Sequence, residues 1–123
     1  MKPFLLVFFG GGIGSVLRYW VSKSLNHYYP NFYLGTFAVN IIGCLLIGIL
    51  LGISLKQNFI GQNQMLFLAT GFCGGFTTFS SFAMEGQTLL KEASLLHFSF
   101  YTIASIAVGV FAVSLGLYIC RLL

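Results

Sequence analysis

Apolar positions along the chain fall into four long runs separated by short polar or helix-breaking stretches. The runs extend from about Phe4 to Leu25, Tyr33 to Leu55, Met65 to Leu90 and Phe98 to Leu122. Each reaches the roughly 20 residues that a helix needs to cross the hydrocarbon core, so the pattern predicts four membrane-spanning helices. The connections run from Asn26 to Asn31 (with Pro30), Lys56 to Gln64 and Lys91 to His97. They are short, which predicts a single four-helix transmembrane domain over residues 1–123, all-α in class. The first apolar run continues past Gly14 to Val21 with no small-residue cleavage site, so it reads as a retained span and not a signal peptide.

The third run departs from its own pattern. Residues 74 to 82 read Gly-Gly-Phe-Thr-Thr-Phe-Ser-Ser-Phe. Lipid cannot satisfy loosened backbone groups, so such a sequence persists only where protein covers it or where it lines a polar path. Gly74 and Gly75 permit backbone geometry that other residues resist, and the Thr77 and Thr78 hydroxyls compete for backbone partners. Together they predict an unwound segment near the middle of the span. Unwound carbonyls at that depth hold hard cations, while half-helix N-termini favour anions. Phe79 and Phe82 follow at i and i+3, with the Ser80 and Ser81 hydroxyls near that face. A phenyl ring is positive at its edge, so two inward edges would replace part of the water around a small anion. Phe76 reads as membrane core.

Other polar residues lie within the spans. Asn40 is an amide in the second span, and Thr36 lies one helical turn before it on the same face. The plainer use of a lone membrane asparagine is a helix-to-helix hydrogen bond; beside the third span, Asn40 also reads as a ligand for an anion. Tyr101 and Ser105, one turn apart in the fourth span, extend a polar track, or the tyrosine simply marks the interface. Arg18, next to Tyr19 and Trp20, reads either as an interfacial anchor or as a funnel that draws anions to a pore mouth. Glu85 would repel an anion, so it is expected to pair with Arg18 or Lys91, or to shape a vestibule.

Glycines recur at helical spacing: Gly10 and Gly14, Gly48 and Gly52, and the stripe Ser105, Gly109, Ala112 and Gly116. Small residues so placed let membrane helices approach closely. With four spans, Lys2, Lys56 and Arg121 fall on one side of the membrane and Lys23, Lys91 and the interfacial Arg18 on the other. The Lys/Arg difference that sets orientation is thus one or zero. Either a single charge decides one orientation, or the chain inserts both ways and pairs as an antiparallel dimer.

Composition narrows the function classes. Of 123 residues, 58% are hydrophobic and 7% charged, against about a quarter charged in a soluble domain. The net charge of +4 is scattered singly, which fits anionic head groups and excludes a nucleic-acid surface. Cys44, Cys73 and Cys120 sit in apolar runs as packing residues. Only Glu85, Glu92, His27 and His97 supply acid–base chemistry. No catalytic or metal-binding spacing connects them, so the sequence does not read as an enzyme.

Three segments in order resemble the Fluc (CrcB) family of fluoride channels: Gly11-Gly12-Ile13-Gly14-Ser15-Val16-Leu17-Arg18-Tyr19, Gly35-Thr36-Phe37-Ala38-Val39-Asn40-Ile41-Ile42-Gly43 and, most specifically, Gly71-Phe72-Cys73-Gly74-Gly75-Phe76-Thr77-Thr78-Phe79-Ser80-Ser81-Phe82. The resemblance covers essentially the whole chain. It implies a multi-pass protein of the plasma (inner) membrane that passively exports fluoride through two pores of a dual-topology homodimer. It also implies a structural sodium ion on the two-fold axis, held by backbone carbonyls of Gly74 and Thr77. By position, Asn40 would coordinate fluoride, and Phe79 and Phe82 would be the pore phenylalanines. Ser80, Tyr101 and Ser105 would lie along the polar track, Thr36 near its end and Arg18 by a vestibule. Gly109 stands where the track often continues with serine, and Ser81 where threonine is commoner. Two other functions share the four-span length. A small dual-topology multidrug/proton antiporter needs an embedded carboxylate, which the first span lacks. A purely structural protein would use Asn40 and the third-span break for packing alone.

Overall fold

The computed structural model describes residues 1–57 and 60–122, and the regular structure of the described residues is all helical, without strands. The helices are α1 (Lys2–Leu25), α2 (Leu34–Gln57), α3 (Gln62–Met65), a π-helical stretch (Leu66–Cys73), α4 (Gly74–Phe76), α5 (Phe79–Glu92) and α6 (Leu95–Leu122). Four helical stretches are long and apolar enough to cross a membrane: Lys2–Leu25, Leu34–Lys56, Gln62–Glu92 and Leu95–Leu122. The protein is therefore a multi-pass membrane protein whose third span is bent. The expected spans fall inside these helices to within a few residues. Part of the 56–64 connection lies outside the described residues. The 91–97 connection is shorter than expected, because α5 runs to Glu92 and α6 resumes at Leu95.

Glycine positions decide how the spans pack. A Cβ on Gly10 would collide with the Phe67 carbonyl oxygen, one on Gly14 with that of Phe72, and one on Gly75 with that of Gly11. Span one therefore crosses the π-helical stretch backbone against backbone, which only glycine allows. On the other side of the molecule, Gly48 meets the carbonyl of Val113 and Gly116 that of Leu45, so α2 and α6 close the same way. These contacts bear out the packing role read from the spacing. Without a hydrophobic drive between helices in lipid, such close approach is what makes dispersion contacts dense enough to hold them.

The break is narrower than expected. Gly74 is helical (φ −62°, ψ −38°), and no glycine has positive φ. The residues that leave the helix are Thr77 (φ −83°, ψ 159°) and Thr78 (φ −149°, ψ 118°). β-branched residues favour this extended backbone, and Thr78 then caps α5 by accepting a hydrogen bond from the Ser81 N–H (3.2 Å). Of the neighbouring glycines, Gly75 serves the crossing. Gly43 serves the break, since a Cβ there would occupy the place of the Thr77 methyl group. Upstream, the π-helical stretch widens the turn so that the Gly74 N–H reaches the Ala69 carbonyl.

Candidate functional site

Two polar centres flank the break, and each is anchored on α2. The first is built on Asn40. Its Oδ1 accepts the Thr78 N–H (2.8 Å) and its Nδ2 donates to the Thr78 carbonyl (3.1 Å). One side chain thus satisfies both backbone groups of a residue that has left the helix, which lipid could not do. An amide carries two N–H protons. Only one of Asn40's is used among the described contacts.

Asn40 opens onto a cavity of about 390 Å³. Its walls include Gly74, Thr77, Thr78, Phe79 and Phe82, so it gathers these with Asn40, whereas Thr36 and Ser80 of the expected site do not line it. The two phenylalanines differ in setting. Phe82 is half-buried, with its ring 5.4 Å from that of Tyr101, while Phe79 is 80% exposed and 5.9 Å from Phe82. Phe79 therefore points out of the single chain. Ser80 is exposed, and its Oγ lies 3.4 Å from the Thr78 hydroxyl.

The break also frees carbonyls. In an unbroken helix the Thr78 N–H would bond the Gly74 carbonyl, but here it is held by Asn40. Among the described contacts, no donor reaches the carbonyl of Gly74 or of Thr77. Gly74 is exposed, and a Cβ there would meet nothing within 4 Å. The Gly75 carbonyl, by contrast, accepts from Arg18 Nε (2.9 Å) and the Ser15 hydroxyl (3.4 Å). Arg18 is thereby half-buried against the break and not simply an interfacial anchor.

The second centre surrounds Glu85, which is 5% exposed. Neither expected cation pairs with it among the described residues. Its Oε1 accepts from the Thr36 hydroxyl (2.6 Å) and Asn26 Nδ2 (3.4 Å), and its Oε2 from the Tyr101 hydroxyl (2.7 Å). Thr36 and Tyr101 are fully buried. Each hydroxyl has one proton, and both protons are committed to the carboxylate. Thr36 and Tyr101 are thus brought together by Glu85, whereas Ser105 stands apart from this cluster. Its Oγ is buried with no partner, as is that of Thr102.

This cluster differs from the Arg18 or Lys91 pairing expected for Glu85. Its signal was the one carboxylate inside a span. An intramembrane carboxylate requires named partners, and Thr36 and Tyr101 were the buried-side hydroxyls available to it. Asn26, at the end of α1, gave no such signal.

The family model described as "CrcB-like protein, Camphor Resistance (CrcB)" matches residues 5–117. A protein of Azobacteroides pseudotrichonymphae named "Fluoride-specific ion channel FluC" is 46% identical over 117 residues, covering 94% of each chain. The similarly named protein of Gloeothece citriformis is 46% identical over 122 residues, covering 98% of each. That of Bacteroides fragilis is 45% identical over 124 residues, covering 97% of this chain and 96% of its own.

Proposed function

The chain belongs to the CrcB family, and from that premise we propose that it is a passive, fluoride-selective ion channel that exports fluoride from the cytoplasm. The observation that carries the reading is the cavity beside Asn40. The spare amide N–H, the Ser80 hydroxyl and the ring edges of Phe79 and Phe82 are all neutral donors. Fluoride is small and strongly hydrated, so a pore must replace its water, yet conduction requires that the ion also leave. Neutral donors meet both demands better than a buried lysine would. A negative cell interior supplies the driving force, roughly 2.3 kcal/mol per charge for each 100 mV.

The working unit in this proposal is an antiparallel homodimer with two pores. Thr77, Thr78 and Asn40 face an opening at mid-span, and lipid cannot cover polar groups there. The exposed Phe79 and the near-equal Lys/Arg content of the two sides favour a second, inverted copy of this chain as the cover. Ser80, Tyr101 and Ser105 form the polar track, with Thr36 near its end and Arg18 at a vestibule. Thr36 and Tyr101 donate to an ion only when Glu85 releases their protons.

A structural sodium ion belongs to the same proposal. The unpartnered carbonyls of Gly74 and Thr77 form an oxygen-only donor set, which suits a hard cation. Among the described residues, no cluster of His, Cys, Asp or Glu offers a competing site. The ion would neutralise converging carbonyl dipoles where two copies meet. Assembly in the presence of a large organic cation in place of sodium should lower the dimer's thermal midpoint; an unchanged midpoint counts against the ion.

Liposomes loaded with fluoride or with chloride test the channel directly. Electrogenic efflux of fluoride but not chloride is expected. Efflux of both ions, or of neither, overturns the proposal.

A further inference from the structure

We infer that Asn26 is a positioning residue for the ion path: it fixes the Glu85 carboxylate, and through it the hydroxyl protons of Thr36 and Tyr101. The inference rests on the channel reading above.

Asn26 lies at the C-terminal cap of α1, where its backbone N–H donates to the Ser22 carbonyl. Every polar atom of its side chain is used. Oδ1 accepts the Thr36 N–H (3.0 Å), one of the first-turn donors of α2 that has no partner within the helix. Nδ2 donates to Thr36 Oγ1 (3.3 Å) and to Glu85 Oε1 (3.4 Å). The approach depends on Gly35, where a Cβ would lie 2.8 Å from Asn26 Oδ1 and 2.7 Å from Ser22 Cα. Asn26 thus joins the end of span one, the start of span two and the carboxylate of span three.

The consequence for an ion follows from the geometry. Phe82 lines the Asn40 cavity, and its ring packs on Tyr101, whose hydroxyl is bound to Glu85. The carboxylate is therefore separated from the Asn40 cavity only by the rings of Tyr101 and Phe82. The terminal torsion of a glutamate is soft. Without the Asn26 amide, Oε1 is held by Thr36 alone. A carboxylate free to turn there would repel an approaching anion and carry the Tyr101 and Thr36 protons with it.

Asn26→Asp separates this role from simple helix capping. Aspartate caps a helix as well as asparagine, but it has no N–H for Glu85 and places a second carboxylate beside it. Fluoride efflux from proteoliposomes is expected to fall about tenfold or more, as for loss of a hydrogen bond to a charged group, with dimer assembly retained. The second readout is infrared. The chain has two acidic residues, so ¹³C-glutamate labelling in a Glu92→Gln background isolates the carboxylate band of Glu85. Asn26→Asp should shift that band. Asn26→Ser, a neutral cap too short to reach Glu85, carries the same two readouts and guards against failure of the aspartate variant to assemble. Wild-type efflux in these variants, or an unmoved Glu85 band, overturns the inference. Absence of fluoride efflux in the wild-type protein would sink the channel reading instead, and the infrared comparison would still decide what Asn26 does.

Discussion

Thr36 and Asn40 sit one turn apart on the same face of α2, yet the centres they anchor are opposites. Around Thr36, a buried carboxylate and two buried hydroxyls are joined by the half-buried Asn26 amide, and they satisfy one another. Around Asn40, an amide braces a broken backbone and keeps a donor in reserve beside an open cavity. A saturated centre fixes geometry, whereas a centre with an unmet donor and an opening is equipped to bind. Buried polar groups are tolerated in both because each stabilises the other elements of its own network. The same physical rule, that polar atoms at membrane depth require partners, gives a brace in one place and a binding site in the other.

The largest disturbance should come from the shared scaffold. Gly75→Val drives a side chain into the Gly11 backbone and displaces the carbonyl held by Arg18 and Ser15. Overpacking of this kind costs about 3 kcal/mol or more where backbone must move. Thermal unfolding in detergent should show a large drop in midpoint, and both centres should fail together. A fold that survives with only the Asn40 centre lost would mean that the two are less coupled than their common scaffold implies.

Tyr101→Phe acts first on the closed centre. It removes the only described donor to Glu85 Oε2, at a cost of roughly 1–3 kcal/mol for a buried acceptor left unsatisfied. The midpoint should fall moderately. A neutral result would show that the carboxylate finds another donor and that the centre is less sealed than its burial indicates.

Ser105→Ala should have the smallest effect on stability, within about 0.5 kcal/mol, because its hydroxyl has no partner to lose. A reduced fluoride efflux with an unchanged midpoint would place Ser105 with the open centre. A clear loss of stability would reveal a partner in the assembled protein and remove it from the proposed track.

These contrasts also mark what the sequence disclosed. Four spans, the bent third one and the glycine crossings were legible because hydropathy and small-residue spacing act locally along each helix. The convergence of Asn40 with residues 74 to 82 was legible for a similar reason: polar side chains in greasy runs have few places to go. The division of labour within the break was less legible. Gly74 and Gly75 were expected to unwind together with Thr77 and Thr78, but Gly75 packs against the Gly11 backbone of α1, Gly74 stays helical, and only the two threonines leave the helix. The Glu85 cluster was hidden because its members come from the end of α1, α2, α5 and α6, and no spacing along one helix reports a meeting of four elements.

The open centre is the core of the proposal, and Asn40→Asp tests it most directly. Aspartate retains an acceptor for the Thr78 N–H but removes the amide protons and adds a negative charge to the cavity. Fluoride efflux from liposomes carrying this variant, with its assembly verified, is predicted to match that of protein-free vesicles. Efflux at the wild-type rate would contradict the assignment of Asn40 as the fluoride-binding amide.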